Sequence, residues 1–130
     1  MNKSILVLAA LFGVLGVAMG AFGAHGLEGK LTPPQLTTWE TAVRYQMWHV
    51  LAILFTAVLF VQQPSAMLKA SAAAFLIGVI LFSGSLYLLA AKDLLQLGKF
   101  SKFLGPITPI GGLSYMLGWV FLAIHFFRTL

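Results

Sequence analysis

A chain of 130 residues that is 60% hydrophobic and only 8% charged is not built like an ordinary soluble domain, which is about 45–50% apolar and about 25% charged. Eight basic and three acidic residues cannot solvate so apolar a surface, so lipid is the expected solvent. With no cysteine, disulfides, thiolate metal centres and cysteine nucleophiles are excluded. The net charge of +5 is spread over Lys3, Lys30, Arg44, Lys69, Lys92, Lys99, Lys102 and Arg128, with no basic run to hold nucleic acid; such cations read as flanking charges of membrane spans.

Four uncharged stretches stand out in chain order: Ser4–Ala24, Tyr45–Val61, Ala70–Ala91 and Gly105–Phe127. Each is long enough, as a helix, to cross a hydrocarbon core of about 30 Å, which takes about 20 residues. None alternates as a barrel strand would, and in lipid the backbone must satisfy its own hydrogen bonds. The expected fold is an all-α, four-transmembrane-helix bundle in one domain, residues 1–130. The first stretch has features of a signal peptide, with Lys3 before the apolar run and Ala18-Met19-Gly20 as a small-residue site. The run continues to Ala24, however, and reads as a retained first helix.

The connections differ. Gln62-Gln63-Pro64-Ser65 is a short turn, and Lys92–Leu104 is wet. Between His25 and Arg44, Thr32-Pro33-Pro34-Gln35 has the features of a helix start: a capping threonine, proline in the first turn and glutamine three residues after the cap. The second helix should therefore begin near Pro33, outside the hydrocarbon, with Trp39 as an interfacial anchor. The segment Gly105-Pro106-Ile107-Thr108-Pro109-Ile110-Gly111-Gly112 holds two prolines and three glycines, and reads as a tight loop capping the bundle, with a substrate-binding broken helix as the sharper option. Small residues recur at four-residue spacing in Gly16/Gly20/Ala24, Ala70/Ala74/Gly78 and Ser114/Gly118. Such ridges suit close helix packing within one bundle, with a homo-oligomer interface as the sharper reading.

With the Ser4 side of the membrane called side A and the other side B, polar residues cluster on side B. His25, Glu40, Arg44, Tyr45, Gln46 and His49 fall there, joined by Ser83, Ser85 and Tyr87 along the third span. Polar groups in lipid are costly unless paired, and are often functional. Glu40 and Arg44 are four apart and suited to pairing on a helix; Tyr45 and His49 share the adjoining face. These nine residues form the candidate ligand-binding set. No carboxylate cluster or haem-attachment motif accompanies the histidines, and His125 lies toward the opposite surface, so neither metal nor cofactor is expected. No phosphate-binding or dinucleotide fingerprint occurs, and no catalytic residue is assigned.

The segment Gly20–Leu27 resembles the hallmark of a small uncharacterised membrane-protein family that includes the bacterial YgdD and YwdK proteins. Trp39–Ala42 with Tyr45, Gln46 and His49, then Phe82–Tyr87, then Gly105–Gly112 with Gly118-Trp119, are similar to its further motifs, in order along nearly the whole chain. The resemblance implies a four-helix inner-membrane protein, and supplies no substrate or catalytic residue. The leading expectation is a non-enzymatic module that binds membrane lipid, another small ligand or a membrane partner on side B. The alternative is an oligomeric proton-coupled transporter or channel, which would need a polar path to the largely aliphatic side A. Side-B connections carry five Lys/Arg against three on side A, which inclines side B toward the cytoplasm.

Overall fold

The computed structural model describes residues 1–130. It contains four helices long and apolar enough to cross a membrane, at Lys3–His25, Pro33–Gln62, Ala66–Ala90 and Gly98–Thr129. The first is α1 (Lys3–His25), capped by the Asn2 side chain, which accepts from the Ser4 amide at 3.0 Å. The second is α2 (Pro33–Gln62). The third comprises α3 (Ala66–Gly78), a π-helical turn over Val79–Ser83, and α4 (Gly84–Ala90). The last begins with a 3₁₀ turn, Gly98–Phe100, and continues as α5 (Ser101–Thr129).

Local chemistry sets the start of α2 as the sequence leads one to expect. Thr32 Oγ1 accepts from the Gln35 amide at 3.3 Å while Gln35 Oε1 accepts from the Thr32 amide at 3.0 Å, a reciprocal capping box with proline in the first turn. At 30 residues, α2 is about 45 Å long at about 1.5 Å per residue, more than the core requires. The third span starts at Ala66, four residues before the hydropathy boundary at Ala70, because Ser65 caps it by accepting from the Leu68 amide. Lys69 therefore rides on the helix, 5.4 Å from the Phe60 ring centroid.

Two expectations are corrected. The Gly105–Gly112 segment is not a loop; Pro106 and Pro109 lie inside a continuous α5. A loop there would strand a run of backbone groups, whereas each proline in a helix removes a single bond. Both prolines are exposed on α5. Trp39 is not an interfacial anchor either. It is buried, and its Nε1–H donates to the Met19 carbonyl of α1 at 2.8 Å. Leu27 and Leu31, from the connection after α1, fold back over it with Ala90 and Ala91, closing the side-B end with a small apolar plug.

The packing is a diamond rather than a square. α3 packs on both α2 and α5, and α2 packs on α1, leaving α1 and α5 at opposite corners. The main core joins Ala9, Ala52, Ile53, Ala72, Phe75, Val79 and Tyr115. Glycines make the close approaches: Gly16 faces Met47, Gly78 faces Tyr115 and Gly118 faces Phe75, so these small residues serve packing within the chain. The α3–α5 seam is stitched in both directions, by Ser71 Oγ donating to the Gly118 carbonyl at 2.8 Å and Ser114 Oγ donating to the Ala74 carbonyl at 2.7 Å. At Gly111, α5 meets the backbone of Leu81 and Phe82 in the π turn, and an added methyl would run into it. Backbone cannot swing aside like a side chain, so Gly111→Ala should destabilise by about 1–3 kcal/mol, the usual range for overpacking. Gly84→Ala, with open space around its new Cβ, should leave the thermal midpoint in detergent unchanged or slightly raised.

Candidate functional site

The polar residues of the spans fall into two groups that the structure separates. The first is internal. Gln46 is buried on α2, with its Nε2 donating to the Phe12 carbonyl of α1 at 2.7 Å and its Oε1 accepting from the Tyr87 hydroxyl of α4 at 2.6 Å. One amide thus ties three helices. His49, one turn deeper, has its Nδ1 2.7 Å from the Tyr45 carbonyl and its Nε2 3.1 Å from the Trp119 indole nitrogen. A carbonyl only accepts and an indole N–H only donates, so Nδ1 carries the proton and Nε2 offers its lone pair. The imidazole also stacks on Tyr115, centroids 3.6 Å apart at 14°. Tyr115 in turn meets Ser83 Oγ at 3.1 Å, and Ser85 Oγ lies 2.6 Å from the Thr108 hydroxyl. No buried side-chain nitrogen or oxygen lacks a partner.

The second group is peripheral. His25, Glu40 and Arg44 are exposed at the side-B end. The ion pair that the i, i+4 spacing suggests between Glu40 and Arg44 does not form; both side chains instead line a recess of about 300 Å³ between α1 and α2. Gly20, Gly23 and Ala24 form its α1 wall, and Leu36, Trp39 and Val43 complete the α2 side. The wall is low because those α1 residues carry almost no side chain. His25 does not line it. A second recess, of about 490 Å³, opens between α2 and α5 and is walled by Tyr45, Trp48, Phe82, Tyr115 and Trp119, with His49 at its floor. Its character is aromatic and uncharged.

The candidate set therefore does not make one site. Gln46, His49, Ser83, Ser85 and Tyr87 belong to the internal network, Tyr45 joins it by its backbone carbonyl while its ring walls the second recess, and Glu40 and Arg44 share the first. Sequence reasoning left out of the set Trp119, Tyr115 and Thr108, the partners that α5 supplies, and Gly20 and Gly23, which line the recess, Gly23 by leaving room for the Trp39 indole. Trp119 is separated from His49 by 70 residues, and only the fold brings them together. Gly20 was legible as part of the Gly16/Gly20/Ala24 ridge, whereas Gly23 lies outside that spacing. No group of His, Cys, Asp and Glu is placed to hold a metal.

Four apolar spans whose buried polar groups bond one another define an integral membrane protein of the helical-bundle class. The chain belongs to the family described as "Protein of unknown function (DUF423)", whose model matches residues 19–112. It is 41% identical over 128 residues to a UPF0382 membrane protein of Staphylococcus haemolyticus, covering 97% of each chain. It is 40% identical over 129 residues to a UPF0382 membrane protein of Haemophilus influenzae, covering 99% of this chain and 98% of the relative. With the UPF0382 membrane protein YwdK of Bacillus subtilis it shares 37% over 124 residues, 94% of each. No solved structure matches it.

The internal network makes a measurable claim. Tyr87→Phe strands Gln46 Oε1, and Gln46→Leu strands the Tyr87 hydroxyl and removes the tie to the Phe12 carbonyl, each at a cost of about 0.6–1.7 kcal/mol, the range for hydrogen bonds between membrane helices. The double variant should cost less than the sum of the two, and chemical unfolding of all four proteins in mixed micelles gives the coupling.

Proposed function

We propose that this protein is a non-catalytic binding module of the membrane, seated in a bacterial inner membrane, whose ligand is a lipid held in the side-B recess between α1 and α2. One observation carries the reading: Glu40 and Arg44, opposite charges one helical turn apart at the bilayer edge, line a recess together and engage no protein partner. Inside the bundle, Gln46, His49, Ser83, Ser85 and Tyr87 of the candidate set are all bonded to other groups of the protein. His49 has both ring nitrogens bonded, so it has no free nitrogen to serve as a general base without breaking the bridge to Trp119. Ser83 and Ser85 bond Tyr115 and Thr108 rather than a histidine, and so lack the partner that activates a nucleophile.

The same accounting favours binding over transport. A proton or solute path toward side A would use Thr56 and Ser71, yet their hydroxyls donate to the Ile53 and Gly118 carbonyls. The polar groups below His49 are ties between or within helices, with no chain of free donors and acceptors.

The test separates the two groups of residues. Protein extracted with native lipid in a polymer disc should retain lipid through detergent exchange, and Arg44→Ala should lose most of it with no change in helical circular dichroism or thermal midpoint. His49→Ala should do the reverse, lowering the thermal midpoint while leaving retained lipid unchanged per folded protein. Equal lipid retention by wild type and Arg44→Ala would remove the recess as the site.

A further inference from the structure

We infer that the lipid taken by the Glu40–Arg44 recess is one whose headgroup carries a phosphodiester and a primary ammonium, a phosphatidylethanolamine-type lipid; this rests on the lipid-binding reading above and adds the headgroup class. The argument begins with depth. Counting about 20 residues back from Gln62, the side-A end of α2, places the side-B edge of the hydrocarbon near Val43. Arg44 therefore sits at that edge, and its long stem lets the guanidinium reach outward to the level of lipid phosphates. Glu40 lies one turn farther out, about 6 Å at 1.5 Å per residue. The order of charges along the normal is thus cation first, anion beyond it.

A phosphoethanolamine headgroup presents the complementary order. Its phosphate is attached at the glycerol and its ammonium follows two carbons later, a reach of about one helical turn. Arg44 matches the phosphate with a planar, multidentate donor fork. Glu40 matches the ammonium, which has three N–H donors for a carboxylate to accept. Other common headgroups meet a mismatch at one end. A trimethylammonium has no N–H to donate to Glu40. A glycerol headgroup brings no cation, so its phosphate negative charge stands beside the carboxylate uncompensated. Glu40 is in this sense the discriminating group, because it disfavours a net-anionic lipid that Arg44 alone would accept. The recess supplies the remaining requirement, space: at Gly20 and Ala24 the α1 wall is too low to push a lipid away from the charges, and Trp39 is held down by its bond to Met19.

Native mass spectrometry of the full-length protein, released from micelles containing equal amounts of ethanolamine, choline and glycerol phospholipids with identical acyl chains, tests this directly. Wild type should keep the ethanolamine lipid at least about five-fold over either competitor. Glu40→Gln should bring the three to near equality while total lipid bound stays close to wild type, and Arg44→Ala should lower all three together. Ala24→Leu, which raises the α1 wall without touching a charge, should also lower all three. Equal retention of the three lipids by wild type, or discrimination unchanged in Glu40→Gln, would overturn the headgroup assignment and leave lipid binding standing. Lipid retention by Arg44→Ala and Ala24→Leu equal to wild type would overturn both.

Discussion

The bridge at His49 is the contact on which the arrangement of α2 and α5 depends. Those two helices meet through side chains, Tyr45 and His49 of α2 against Tyr115 and Trp119 of α5, while α3 and the π turn pack on both. They meet through a ring whose Nδ1–H is held by its own helix at Tyr45 and whose Nε2 accepts from Trp119. The local bond fixes the tautomer and the ring plane, and the fixed plane lets the imidazole stack on Tyr115 while still reaching the indole. In lipid there is little hydrophobic gain in bringing helices together, so directional bonds and close packing have to specify which faces meet. Gln46 performs the same service one turn nearer side B, for α1 and α4.

Such saturation constrains what is left over. In this bundle every buried side-chain nitrogen and oxygen has a partner within the protein. Glu40 and Arg44, exposed at the perimeter, are polar side chains that the bundle does not use to hold itself together. The exposed charges of α2 and the low wall of α1 coincide there, beside the buried plug of Leu27, Leu31 and Trp39.

Much of the fold was legible because its determinants are local. Thr32 and Gln35 specify the start of α2 across four residues, and apolar length alone specifies four crossings. What was hidden depends on neighbours distant in sequence. Pro106 and Pro109 read as helix breakers by the rules of aqueous proteins, and only the prohibition on unpaired backbone in lipid reverses them. Trp39 reads as a belt residue until Met19 offers it a carbonyl. Glu40 and Arg44 read as a pair by spacing, but both instead line the recess between α1 and α2. The clustering of polar residues on side B was visible in the sequence, but its division into a network and a separate recess was not, since Tyr115 and Trp119 arrive from the far end of the chain.

The π turn at Val79–Ser83 acts as a phase shift. A wide turn holds one residue more than an α-turn, so everything after it is rotated by about 100° relative to an unbroken helix. Before the shift, the third span aims Ser71 and Phe75 at α5 and the core; after it, Ser85 reaches Thr108 and Tyr87 reaches Gln46. A straight helix of the same composition would aim those later side chains elsewhere, and the amide that ties three helices would lose its hydroxyl donor. The chain thus addresses different neighbours above and below the turn with one continuous rod, using a single extra residue as the gear between two angular registers.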